Sequence, residues 1–217
     1  MITAEHQKAF EKKAKELGAN SSRLISARDI VVEKRTVLKC IFGCDGWGSR
    51  VCPPFIPDVK EFRDMLKEYD WALLVDWRSG NALPKGVSEN FIKLGTSFKG
   101  DPALQEAFDM ACKNILRERK EIIQPGILEL EKLAWTLGYN TALATFPGKC
   151  AWCVDSAYSR VNCGGRQKEC NHPTLRRPCL MGLGIRLDKT LKKQGLNLPA
   201  FPIEGGIPKQ YTLLLIE

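Results

Sequence analysis

No apolar run in this sequence approaches the roughly 18 to 20 residues that a bilayer-spanning helix needs. The opening stretch, MITAEHQKAFEKKAKELG, is charged throughout and has no apolar h-region, so no secretory signal and a cytoplasmic location are expected. A Ser-His-Asp signature, a phosphate-binding P-loop and a flavin or nicotinamide fingerprint are also missing. Gly182-Leu183-Gly184 is half of such a fingerprint, without the strand before it or the third glycine. These absences remove the commonest hydrolase, nucleotide-binding and membrane readings. With no repeat of solenoid period and no low-complexity segment, 217 residues are read as one unit spanning 1–217.

What the sequence has is cysteine. An odd count, nine, in a reducing compartment is not a disulfide framework. Seven fall into two groups: Cys40, Cys44 and Cys52, spaced C-x3-C-x7-C in the stretch 40–57, and Cys150, Cys153, Cys163 and Cys170, spaced C-x2-C-x9-C-x6-C in the stretch 150–179. Cys179 trails the second group. Cys112 recurs at helical spacing with Phe108, Ala111 and Ile115 and reads as packing.

The formal charge of +8 invites a nucleic-acid reading. Its distribution argues otherwise. Lys12, Lys13, Lys15, Lys192 and Lys193 lie on amphipathic segments among acidic neighbours, the pattern of a solvated face. Between Lys149 and Arg177 six basic residues (Lys149, Arg160, Arg166, Lys168, Arg176, Arg177) face only Asp155 and Glu169, and local positive charge of this kind offsets metal-bound thiolates. Nucleic acid is therefore not the expected partner.

Periodicity predicts a helix over 4–17 stopped by Gly18, and a strand signal through Ile30–Val32 and Val37–Leu38 that leads into Cys40. Asp58 and Glu61 have capping-box spacing before a helix carrying Val59, Phe62, Met65 and Tyr69. WALLVDW (71–77), TALATF (141–146) and YTLLLIE (211–217) read as strands. Asp101-Pro102 opens a long helix, which Pro125-Gly126 should interrupt before a second helix ends at Gly138. The expected fold is α/β or α+β: a small mixed sheet covered by helices, with a cysteine-rich metal-binding lobe whose two loops both follow strands.

Thiolates are soft ligands and select zinc or iron-sulfur clusters over magnesium or calcium. Structural zinc commonly takes two close cysteine pairs, and only Cys150/Cys153 is one. Iron-sulfur sites combine a short run with a more distant cysteine, and proline directly after a ligand recurs in ferredoxins, as in Cys52-Pro53-Pro54. Three thiols in the first group leave one corner of a cubane for Cys179, another residue or a substrate. His172 offers a Cys3His zinc alternative for the second group. Trp47 and Trp152 lie inside the cysteine loops, where they shield a cluster or simply pack.

The C-x3-C-x7-C-P-P pattern, LELEKLAWTLGYNTALATFPGKCAWC, CNHPTLRRPCLMGLGIRL and the terminal YTLLLIE together resemble a family of predicted metal-binding proteins widespread in anaerobic bacteria and archaea. The signposts are Cys40, Cys44, Cys52-Pro53-Pro54, Cys150, Cys153, Cys170-x-His172-Pro173, Arg177-Pro178 and Gly184-Ile185. Two departures stand out. The family tends to place a third cysteine at what is Ser156 here, so Cys163 must substitute. Where many members have Arg-Pro-Ser-Met-Glu-Ala, this chain has Arg177-Pro178-Cys179-Leu180-Met181-Gly182, which supplies a spare thiol.

The reading is an iron-sulfur protein with two [4Fe-4S] clusters, the first held by Cys40, Cys44 and Cys52 with Cys179 the best cysteine candidate for its fourth corner, the second held by Cys150, Cys153, Cys163 and Cys170. It would transfer electrons to a redox partner protein in anaerobic metabolism. Two alternatives stand beside it: an enzyme binding substrate at an open iron, and a zinc-stabilised interaction or nucleic-acid-binding module. No catalytic residue is assigned.

Overall fold

The computed structural model describes residues 2–44, 46–77, 82–90, 101–155, 169–198 and 203–217. In chain order its principal elements are α1 (Ala4–Glu16), β1 (Ala19–Ser26), α2 (Leu38–Gly43), α3 (Val59–Met65), β2 (Trp71–Trp77), α4 (Lys85–Asn90), α5 (Pro102–Glu118), α6 (Gln124–Thr136), β3 (Leu143–Ala144), α7 (Leu187–Lys193) and β4 (Gln210–Ile216). The class is mixed α+β. The four strands form one sheet in the order β1-β2-β4-β3, with every pairing antiparallel. No helix among the described residues is long and apolar enough to cross a membrane.

The two central strands are apolar almost without interruption because helices and loops cover both faces of the sheet. Leu73, Val75 and Trp77 of β2 and Leu214 and Ile216 of β4 face Phe10 and Ala14 of α1 and Ile127, Leu130 and Ala134 of α6. The alternate residues, Ala72 and Leu74 with Tyr211, Leu213 and Leu215, face Phe62 of α3, Leu191 of α7 and the turn bearing Leu180, Leu183 and Ile185. Period-two alternation thus feeds two cores at once. The Trp77 indole N–H donates to Thr212 Oγ1 at 2.8 Å, which satisfies the one polar atom that this side chain brings inside.

Three local expectations are corrected. Val37 and Leu38 are not strand: residues 34–37 form a 3-10 turn that runs into α2, and Val32 makes only an isolated bridge to Ile185. The first cysteine loop therefore follows a helical turn. Pro125 does not break the helix, because a π turn over Arg119–Ile123 joins α5 to α6 and leaves Pro125 in the first turn of α6, where its missing N–H costs nothing. Finally, β1 was not foreseen. Its sequence, ANSSRLIS, is polar because it is an edge strand with half-solvated residues. The capping box is formed as written: Asp58 accepts from Lys60 N and Glu61 N, and Glu61 accepts from Asp58 N.

Candidate metal centre

The first cysteine loop is built around a short helix and a chain of tight turns. Cys40 is on the inward side of α2 and buried, whereas Cys44, just past its end, is exposed. Cys52 is buried in a turn fixed by Cys52 N to Ser49 O (2.9 Å) and Phe55 N to Cys52 O (3.0 Å), followed by a cis Pro53–Pro54 peptide. Gly46 sits between the sulfurs: its N–H donates to Cys44 Sγ at 3.3 Å. A Cβ at that position would stand 3.3 Å from Cys44 Sγ, 3.4 Å from Cys52 Sγ and 3.1 Å from Lys149 Cβ, so glycine keeps this cradle open.

Cys179 arrives at the same place from the far end of the chain. Its N–H donates to Val51 O at 2.8 Å, and it bridges Phe146, which extends the line of β3; Phe146 N and Leu180 N complete that junction with Pro178 O and Phe146 O. Buried Val51, Cys52 and Cys179 form one small cluster with Cys150 against it. The turn after Cys179 fits closely over the first loop. A Cβ on Gly182 would meet Pro53 Cδ and Ile56 Cδ1, each at 2.9 Å.

The thiols perturb one another. Cys52 and Cys179 share a hydrogen bond in which Cys52 stays the donor, and this, then burial, holds the Cys52 thiol far above its usual range. The Cys179 thiol is shifted down by that same bond against the cost of burial, aided by the Gly182 and Met181 N–H groups and the nearby Arg119 guanidinium. Burial, then the charges of Cys179 and Cys44, pushes Cys40 up to about 11. Cys52 and Cys179 are the directly paired thiols, with Cys44 on the other side of Gly46 from Cys52. Among the described residues, no group of three or more His, Cys, Asp or Glu side chains is gathered tightly enough to hold a single metal ion.

The second loop is held by the junction of α5 and α6. Gln124, wholly buried, accepts from Ala151 N at 3.0 Å, donates to Lys149 O at 3.4 Å and lies 4.0 Å from Cys150 Sγ. Lys120 donates to Val154 O, and the Arg119 guanidinium fills the space over Gly148. Arg119 is itself oriented by Gln210 (Nε to Oε1, 2.7 Å), which bonds the buried Glu118. The π turn, where helices commonly carry functional groups, thus aims two cations and an amide at one loop. Asn171 Nδ2 donates to Cys153 Sγ at 3.8 Å, which brings Cys170 and its neighbours toward Cys153. Trp152 Nε1 donates to Leu175 O at 3.0 Å, and its ring lies 6.4 Å from that of His172. The segment before Cys179 is pinned by Arg177, whose Nε reaches both oxygens of the buried Glu131 at 2.8–2.9 Å; Ala144 N donates to the same carboxylate.

Cys163, with Arg160, Arg166 and Lys168, lies outside the described residues. Cys112 is half-buried on α5, next to Ala111 and Phe108, which pack with Leu83 and Val87. Sequence reasoning did not find Gly46, Gly182, Arg119 or Gln124. The glycines act through close approach and the polar pair through long-range contacts, neither of which leaves a local signature. A cleft of about 710 Å³ between α1, the start of β1 and the π turn, lined by Glu11, Lys15, Asn20, Arg117, Glu118 and Glu121, contains no cysteine and is not the candidate site.

The model of a family of predicted metal-binding proteins, DUF2284, matches residues 23–216, nearly all of the chain and both cysteine loops. No curated protein and no solved structure matches it. By that match the chain is a member of the predicted metal-binding protein family DUF2284.

Proposed function

We propose that the chain is an iron-sulfur protein with two [4Fe-4S] clusters that carries single electrons to and from a partner protein in anaerobic redox metabolism. The observation that carries this reading is the packing of Cys179 beside Cys52 in one buried cluster, with Gly46 between the Cys52 and Cys44 sulfurs, which offers a fourth thiol to the C-x3-C-x7-C group. Cys150, Cys153, Cys163 and Cys170 are the thiols assigned to the second site. Contact of Cys150 with the Val51–Cys52–Cys179 cluster supports a second site close to the first.

The donor set fits a cluster better than an ion. Sulfurs around one zinc lie about 3.8 Å apart, from bonds of about 2.3 Å in a tetrahedron, whereas a cubane spreads its thiolates over larger corners. Among the described residues no three such side chains converge on one point, while Cys52 packs with Cys179 and faces Cys44 across Gly46. A Cβ on Gly46 would fill the space between Cys44 Sγ and Cys52 Sγ, so glycine there keeps room between these donors for a bound group. A bound cluster supplies a one-electron couple. Around it the chain contributes N–H donors from Gly46, Met181 and Gly182, the positive charge of Arg119 and the exclusion of water over Cys52 and Cys179. With Cys179 in place the first group has no vacant corner, which favours a carrier over a substrate-binding enzyme.

Purification without oxygen, followed by a visible spectrum and iron, sulfide and zinc analysis, tests this. Brown protein with a broad band near about 400 nm and about eight iron atoms per chain is expected. Colourless protein containing one or two zinc ions would replace the carrier with the zinc module.

A further inference from the structure

α2 is turned inside out. Its buried residue is Cys40, while Leu38, Ile41 and Phe42, at i, i+3 and i+4, share an outward face and are 53%, 45% and 83% exposed. Phe42 lies midway between Cys40 and the exposed Cys44. On the same loop Phe55 is 45% exposed, with the Arg50 guanidinium 4.2 Å above its ring. Rings left this exposed forgo the favourable free energy of burial, which a second surface covering them would recover. The charge of this segment is predominantly of one sign. Residues 34–57 contain Lys34, Arg35, Lys39 and Arg50 against one acid, Asp45. Glu33, just before them, is engaged by Arg35, Arg186 and Lys189, and the Asp58 carboxylate just after them caps α3.

We propose that α2 and the loop to Pro57 form the docking surface for an acidic one-electron carrier protein, with Phe42 as the apolar anchor and Lys34, Lys39 and Arg50 as the steering charges. This rests on the iron-sulfur reading above. Aromatic anchors ringed by charge are the energetic centre of protein interfaces, and complementary charge raises the rate of encounter more than it raises affinity. That combination suits a partner that must bind briefly and leave. It also places the partner over Cys44, where the first site reaches the surface. One electron leaves the centre of one protein and enters that of the other; no bond forms or breaks and no proton moves.

The test uses the cluster-loaded protein in stopped-flow electron exchange with an acidic two-iron ferredoxin, and with the basic cytochrome c as the opposite probe. With the ferredoxin, the expected rate falls about tenfold from low to high salt, and falls about tenfold at low salt in Phe42→Ser and in Lys39→Glu. With cytochrome c, added salt should not slow exchange. Iron content and visible spectrum of both variants should equal the parent's, so loss of the clusters, a failure of the underlying reading, is recognised separately from loss of docking. Absence of exchange with the ferredoxin, a rate indifferent to salt, or parental rates in both variants would overturn the proposal. So would sedimentation of the parent as a dimer that Phe42→Ser dissociates, since the occupant would then be a second copy of the chain.

Discussion

Cys179 is the residue on which the site turns. Its sulfur accepts from Cys52, its N–H is fixed to Val51, and the turn behind it is pressed onto Pro53 through Gly182. On the iron-sulfur reading, replacing one soft thiolate with a hard hydroxyl weakens the hold on the first cluster. Cys179→Ser is expected to remove about half of the iron from anaerobically purified protein; retention of all of it, with an altered resonance on adding cyanide, would instead indicate an open site. Cys112→Ala should leave iron content unchanged and cost about 1 kcal/mol or less, because little volume is lost from a half-buried position. Glu131 is different. Its carboxylate, 2% exposed, satisfies both Arg177 and Ala144 N, so Glu131→Gln leaves the partly buried Arg177 cation without its carboxylate and should lower unfolding free energy by about 3 kcal/mol, read from the denaturant midpoint.

Elements differed in how plainly the sequence announced them. The apolar runs of β2 and β4 and the Asp58–Glu61 cap were legible because each is fixed by residues a few places apart. β1 was not, since an edge strand may be polar on its open side, and the turn at 34–37 was hidden because Val37 and Leu38 have strand propensity that packing overrides. Pro125 misled for a related reason: the π turn before it absorbs the lost donor, so the helix changes pitch instead of stopping. The same element scale carries a pH prediction. Glu33 ties the 3-10 turn to α7 through Arg35, Lys189 and Arg186, and its carboxyl is lowered to about 2, first by the Arg35 hydrogen bond and then by that of Lys189. A lowered folded value means that the contribution is complete above the ordinary range near 4.5 and fades as pH falls toward 2. Chemical unfolding at pH 6 and pH 3 should therefore show a smaller loss of stability in Glu33→Gln than in the parent.

At the scale of the whole molecule, the two thiol groups were legible as groups, and their mutual placement was not. The approach of Cys150 to Cys52 depends on Gln124 and Arg119, and the approach of Cys179 depends on Phe146 and on the sheet beneath it. The loops are distant in sequence and meet only when β4, paired between β2 and β3, completes the sheet. Metal that recognises only this assembled arrangement stabilises it by mass action, so loaded protein should melt at higher temperature than protein stripped by a chelator, and calorimetry can compare them. The junction of Val51, residues 178–180 and Phe146 joins site to core with three backbone hydrogen bonds. Loss of metal from this corner would therefore loosen the edge of the sheet along with the site, and metal-stripped protein should have a shorter lifetime against proteases.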